Sequence, residues 1–403
     1  MPNHNRKGLD AAQMQAAIDR GPHTAALAHF VAEVEEKVRL GQARVVEWDS
    51  IKHDNPPPQL KISPVAAILH NSKPYESILD LSFRLVRLQE GGHIPAVNDT
   101  TLKTAPAGAI NQIGHSLKRL IHAFAEADVE GGKVFMAKWD IKDGFWRLDF
   151  QKGEEWNFAY VMPQPEGSPT RLVVPTLLQM GWIESPPYFC AASKTARDVA
   201  AEYCETGVGT LPTHKFLAAT RGDETMKLGE EGAEENILQY IIEVYVDDFI
   251  SLVMATSQPH LDHVVNAVMH GIHDVFPPAE EEEDDPILRK KLKKGDGGFA
   301  TRKGILGFDF DGDQKTIWLE EEKQVALLTI LKGWLSPRNH TIIRCKSENT
   351  IRQVNQSRMV TKNFSLEVHS CIGKRGFSTR RDFNEGPDPE QVHIAPPIHF
   401  SIW

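Results

Sequence analysis

The chain has 403 residues, 41% of them hydrophobic, and a formal charge of −10. That length and apolar share support a core spread over two or three subdomains and exclude a wholly disordered chain. The acidic balance excludes a generally basic, nucleic-acid-coating surface, but it leaves room for a local basic groove.

Met1-Pro-Asn-His-Asn-Arg-Lys7 lacks the apolar core of a secretory signal, and no stretch approaches the ~18 apolar residues of a membrane span. The expected setting is therefore intracellular, cytoplasm or nucleus, not secreted, with no membrane partner. Cys190, Cys204, Cys345 and Cys371 are widely separated and form no Cys-x-x-Cys, so neither a zinc knuckle nor a disulfide scaffold is expected.

Taken in chain order, residues 1–59 read as a helical lead-in, with helices over Ala11–Arg20 and His23–Leu40 that end at Gly41, and a boundary at Pro56-Pro57-Pro58. A single helix is expected from Ala109 to Glu126, its apolar face formed by Ile110, Ile113, Leu117, Ile121 and Phe124. Val134-Phe-Met-Ala137 reads as a short buried strand that delivers Asp140 near its end, with Phe145 five residues on. A helix after Ser185-Pro186 runs through Ala191, Ala192, Ala196 and Val199, expected to lie beneath a sheet. Residues 205–237 are polar and end in glutamates, which reads as a surface loop.

Ile241–Val244 and Phe249–Val253 are rich in β-branched residues and flank Tyr245-Val-Asp247-Asp248, which reads as a hairpin with two carboxylates at its tip. Adjacent anions repel, and Mg²⁺ suits such a site because it prefers carboxylate oxygens and completes its shell with water and phosphate. Taken alone, either the Asp pair or Asp140 reads equally as solvated acid at a turn or strand edge. If the three met, they would form a site for two ions about 4 Å apart that stabilise both the attacking and leaving oxygens of a phosphoryl displacement.

A further helix spans Pro259–Val275, with Leu261, Val264, Val265, Val268, Ile272 and Val275 as its buried stripe. It also carries His260, His263, His270 and His273; His263 and His270 fall opposite the stripe, in solvent, and no zinc site is expected. The acidic run Glu280–Asp285 and the basic run Arg289–Lys294 read as a solvated, self-compensating loop, the alternative being lysines that contact a template. Gly295-Asp-Gly-Gly298 reads as a turn.

Asp140 with its strand and the Tyr245–Asp248 hairpin together resemble the catalytic motifs of the reverse transcriptase palm. Gln179-Met-Gly-Trp-Ile-Glu-Ser-Pro-Pro-Tyr-Phe189 is similar to the family's motif between them. Ser63–Ile68 with Tyr75–Leu81 resembles the fingers hairpin, Ile305–Phe310 the primer-grip strands, and Thr316–Leu319 with the helix after it the entry to the thumb. The ordered set covers roughly residues 60–335 and looks closest to retrotransposon enzymes. It implies an α+β, right-hand polymerase architecture: fingers over 60–133, a ferredoxin-like palm over 134–310, the start of a thumb over 311–335, and an irregular tail over 336–403.

The resemblance also implies RNA- or DNA-templated DNA synthesis, with attack of a primer 3′-hydroxyl on a deoxynucleoside triphosphate. Asp140, Asp247 and Asp248 would be catalytic and would hold two Mg²⁺ ions, with Mn²⁺ as a substitute. Phe145 would exclude a 2′-hydroxyl. Gln179 and Gly181 would lie by the incoming nucleotide, and Tyr245, Leu306 and Gly307 along the primer and template.

Three departures stand out. Glu76 occupies a position where many relatives carry a triphosphate-clamping arginine, leaving Lys73 and Arg84 as the nearby cations, without the same bidentate fork. Met180 pushes Gln179 one residue out of register, and the segment from Phe189 to Tyr245 is long. Residues 336–403 show no carboxylate set of an RNase H domain and no integrase-like His/Cys framework. They read as a frame that leaves the ancestral element near residue 335, with a partial thumb. The alternative function is a catalytically inactive remnant acting at most as a nucleic-acid-binding module.

Overall fold

The computed structural model describes residues 26–52, 57–68, 75–87, 92–127, 133–164, 167–221, 239–255, 257–281 and 284–335. The expected helix Ala11–Arg20, Pro56, Lys73, residues 222–237 of the expected loop, Cys345, Cys371 and the 336–403 tail lie outside them. Apart from the four-residue helices Trp48–Ile51 and Val97–Thr100, the α-helices of the described residues are α1 (Leu27–Arg39), α2 (Ala107–Ile113), α3 (Ser116–Glu126), α4 (Ser185–Cys204), α5 (Gln258–Val275), α6 (Arg289–Lys293) and α7 (Glu321–Leu335). The strands are β1 (Ala43–Glu47), β2 (Val65–Ile68), β3 (Glu76–Leu79), β4 (Leu85–Arg87), β5 (Gly92–Ile94), β6 (Lys133–Asp140), β7 (Tyr160–Val161), β8 (Arg171–Pro175), β9 (Gln239–Tyr245), β10 (Asp248–Ala255), β11 (Arg302–Ile305), β12 (Phe308–Asp311) and β13 (Thr316–Leu319). None of the described helices is long and apolar enough to cross a membrane.

The chain divides into two units. The first holds everything through Ile305 plus Asp311–Lys315; the second holds Leu306–Phe310 and the chain from Thr316 on, including β13 and α7.

In the first unit, β6, β10 and β9 form an antiparallel sheet in that order. Phe135, Ala137 and Trp139 alternate along β6, as do Phe249, Val253 and Ala255 along β10, and all enter one core with residues of α4 and α5. Chain order β6–α4–β9–β10–α5 with sheet order β6-β10-β9 is a ferredoxin-like plan short of its fourth strand. Beside the outer edge of β6 runs the irregular segment 296–300, joined by the single Met136–Ala300 bridge and by Lys138 N–H donating to the Asp296 carbonyl at 3.1 Å. Here α4 and α5 press closely. A Cβ on Gly271 would stand 2.8 Å from both the Ala196 carbonyl oxygen and the Ala200 nitrogen, so this contact requires glycine.

Elsewhere, β2 and β3 form the expected hairpin, with Val65 opposite Leu79 and Ile68 opposite Glu76. β1, β8 and β7 form a second antiparallel sheet, backed by a core that includes Phe30, Val34, Phe158 and Val173.

The structure corrects three expectations. The single helix over 109–126 is two helices, broken at Gly114–His115, where a tighter bond from His115 N–H to the Gln112 carbonyl ends α2. The break shifts the buried line to Ile113, Ser116, Leu120 and Phe124, away from Leu117 and Ile121. Buried Ser116 donates its hydroxyl to the Val244 carbonyl at 2.7 Å, and Arg119 forks onto Glu243, locking α3 beside β9. Residues 205–221 are not a simple surface loop, because Phe216, Leu217 and Thr220 are buried. His263, expected in solvent, is only 2% exposed, its Nε2 facing the Cys204 carbonyl at 3.4 Å.

Candidate functional site

β9 and β10 are joined by the two-residue turn Val246–Asp247, and Val246 is forced to φ +59°. A β-branched residue there is strained by about 1–3 kcal/mol, and such strain persists only where surrounding packing over-determines it. Val246 packs against the sheet–helix core, which supplies that hold. The Asp247 carbonyl accepts from Ile141 N–H at 3.0 Å, tying the exit of β6 to the turn. Register then places Asp248 directly opposite Asp140, where antiparallel partners have Cα atoms about 4.5–5.5 Å apart. Asp140, Asp247 and Asp248 are thus brought together.

Their electrostatics show the crowding. Burial first, and then the hydrogen bond and charge of Asp140, push the Asp248 carboxyl up to about 7. Burial and Asp140 also raise Asp247. A carboxyl held protonated beside a carboxylate is the expected result of confining three acids without enough positive charge.

Lys291 answers them with positive charge. Lys291 Nζ lies 2.7 Å from Asp140 Oδ2 and 4.0 Å from Asp248 Oδ1. Burial works against its charge, but the hydrogen bond and charge of Asp140 outweigh it and hold the ammonium above its usual range. The segment bearing Lys291 is pinned to the same strand end. Leu288 N–H donates to the Asp140 carbonyl at 3.0 Å, Lys142 N–H to the Pro286 carbonyl at 2.8 Å, and Ile287 bridges Ile141.

Asp285, at 0% exposure, anchors this segment from behind. It accepts from Lys215 Nζ at 2.7 Å and from His273 Nε2 at 2.9 Å. His273 Nδ1 in turn accepts from His214 Nε2 at 3.0 Å, since Phe216 N–H occupies His214 Nδ1 at 3.2 Å and so sets the tautomer. Within the 280–294 run, Asp285 and Lys291 therefore depart from a solvated, self-compensating loop. Asp285 is a buried anchor and Lys291 reaches the site.

The donor set suits a divalent cation: three hard carboxylate oxygens at a strand end and a turn, short of positive charge. Yet among the described residues no group of three His, Cys, Asp or Glu side chains is poised to hold a metal ion. The two facts are compatible, because Asp140 and Asp248 are spent on each other and on Lys291. The carboxylates are of the type that Mg²⁺ takes, but Asp140 and Asp248 are turned to each other and to Lys291 rather than arranged around an ion.

Phe145 follows the left-handed Asp143 (φ +53°) in a single tight turn and sets its half-buried ring edge-on against Phe189, with centroids 5.3 Å apart. Gly144 makes this possible, since a Cβ there would meet the Phe189 ring at 2.5 Å. Tyr245, 36% exposed, ends β9 beside the acidic turn. Gln179 is a correction: it is 3% exposed and its amide donates inward to the Leu177 carbonyl at 2.7 Å, so it presents no side chain to a nucleotide. The extra residue, Met180, takes the outward position at 56% exposure. Gly181 lends its carbonyl to Asn98 Nδ2 at 2.9 Å. Arg84 is also corrected as a free clamp, for its guanidinium forks onto Asp99 at 2.7 and 2.5 Å. Leu306 (φ +49°) and Gly307 (φ +88°) form a turn in the second unit.

Sequence reasoning missed Lys291, Asp285 and the His214–His273 relay. The basic run was the available signal, but nothing local singles out one of its lysines.

No protein family and no curated protein matches this sequence. Among solved structures, the chain is similar to a foamy viral protease–reverse transcriptase dRH in complex with double-stranded DNA, at 15% identity and a TM-score of 0.41. It is likewise similar to a foamy viral protease–reverse transcriptase in complex with double-stranded DNA, at 16% identity and a TM-score of 0.41. Each comparison covers 77% of this chain, but only 38% and 46% of the respective viral chains.

Proposed function

We propose that this chain is a template-directed DNA polymerase of the reverse transcriptase kind, with β6, β9, β10, α4 and α5 as its palm, β2 and β3 in its fingers and α7 in a partial thumb. One observation carries the reading: the register of β6 on β10 sets Asp140 against Asp248 with Asp247 at the adjoining turn. Three acids from distant segments at one strand end are costly to the fold and make sense as a cation site.

Asp140, Asp247 and Asp248 would hold two Mg²⁺ ions, with Mn²⁺ able to replace them. Bound there, the ions would supply charge stabilisation to the attacking and leaving oxygens of nucleotidyl transfer. The chain's own part is positioning. The strained turn fixes Asp247, strand pairing fixes Asp140 and Asp248, and the Phe145 ring, braced by Phe189, would exclude a ribose 2′-hydroxyl. Tyr245 would face the primer end. Substrates would be deoxynucleoside triphosphates, and partners a primer on an RNA or DNA template.

Primer extension on an RNA template with Mg²⁺ tests this. We expect incorporation, a loss of about 10³-fold or more in Asp247→Asn, and relaxed sugar selection in Phe145→Ala. An inactive, nucleic-acid-binding remnant is the second reading, favoured by Arg84 being tied to Asp99. Tight template binding without incorporation in the unaltered chain would establish that reading instead.

A further inference from the structure

The acidic corner already contains a cation on a tether. Lys291 Nζ stands 2.7 Å from Asp140 and 4.0 Å from Asp248, which is where a shared metal ligand oxygen would need its positive partner. The backbone behind it is held in place by Leu288 N–H on the Asp140 carbonyl and by Ile287 N–H on buried Asp285, so the segment that bears the lysine stays beside the corner. Its side chain is 39% exposed, leaving solvent beside it, and a four-carbon stem lets the charge swing there without moving α6.

We propose that Lys291 is a tethered counter-ion that competes with divalent cations for the Asp140–Asp248 pair, so that loading the site requires its ammonium to leave Asp140. This rests on the reading that the carboxylates take a divalent cation. Tethering makes the competitor's effective concentration high and independent of the solution, so Lys291 both keeps the acids together without metal and weakens metal binding. Neighbouring Lys290 shares its charge but is exposed, which makes it the natural control.

Mn²⁺ titration of the full chain, followed by electron paramagnetic resonance, provides the first test. We expect Lys291→Met to bind Mn²⁺ about tenfold or more tighter than the unaltered chain, and Lys290→Met to shift it by less than about threefold. The second readout is the amine acylation rate of Lys291, mapped by mass spectrometry. It should rise when Mn²⁺ saturates the site, fall back on chelation, and be fast in both states of Asp140→Asn. Absence of Mn²⁺ binding in both the unaltered chain and Lys291→Met would overturn the metal-site reading itself. Normal Mn²⁺ binding with Lys291 acylation indifferent to the ion, or with Lys290→Met matching Lys291→Met, would overturn the displacement and leave the metal site standing.

Discussion

Individual residues at this site are held in conformations that they would not choose alone. Val246 keeps a positive φ, and Asp248 keeps a proton up to about pH 7 because burial and Asp140 both disfavour its charge. A carboxyl whose folded value lies above its unfolded one costs the fold stability as pH rises between the two, here from about 4 to about 7. Asp248→Asn removes that cost. We expect it to stabilise the metal-free protein by about 1 kcal/mol at pH 8, a figure discounted for the partial exposure of this side chain. The gain should vanish at pH 4, and thermal unfolding at the two pH values measures it. The strand that delivers Asp140 and the hairpin that carries Asp247 and Asp248 were legible because strand alternation and turn chemistry are local, whereas the roles of Phe145 and Tyr245 entered through the resemblance. The inward turn of Gln179 was not, since the carbonyls it meets are placed by the fold of its own loop against the core.

Among elements, the α4–α5 contact governs how the sheet is backed. Both helices were visible in the hydrophobic periodicity, whereas their close approach at Gly271 was not, because it depends on which faces meet. Gly271→Ala should cost about 1–3 kcal/mol, as its methyl group would strike backbone rather than a movable side chain. Chemical denaturation would show this as a lower midpoint at unchanged slope. The break between α2 and α3 teaches the complementary lesson. A continuous apolar pattern predicted one helix, but Gly114 and the Ser116 anchor on β9 made two short ones better packed than one long one.

For the whole molecule, acid should be the weak point. Burial, with His273 and His270 nearby, holds His214 down to about 3, so the native state resists a proton that the unfolded chain accepts near 6.5. Asp285 is held down to about 2, burial being outweighed by its bonds from His273 and Lys215. Both shifts act in the same direction. Stability present above pH 6.5 should fall as pH drops toward 3 through His214, and the Asp285 share, about 2 kcal/mol, should be lost between about 4 and 2. Urea midpoints across pH 3–8 check this, and His214→Gln should flatten the profile between 6.5 and 3 while leaving the lower limb. Because Asp285 anchors the segment that carries Lys291, this acid-sensitive core lies directly behind the acidic corner.

By itself the sequence determined the local pieces: a strand delivering Asp140, a hairpin presenting Asp247 and Asp248, and apolar stripes on α4 and α5. Each follows from side-chain periodicity and turn chemistry within a few residues. Only tertiary structure decided that β6 pairs with β10 in the register that opposes Asp140 to Asp248, that His263 is buried, and that Lys291 rather than its neighbours enters the site. Those outcomes depend on contacts between segments far apart in the chain, where burial and pairing energies are shared among elements and no local pattern encodes the partner.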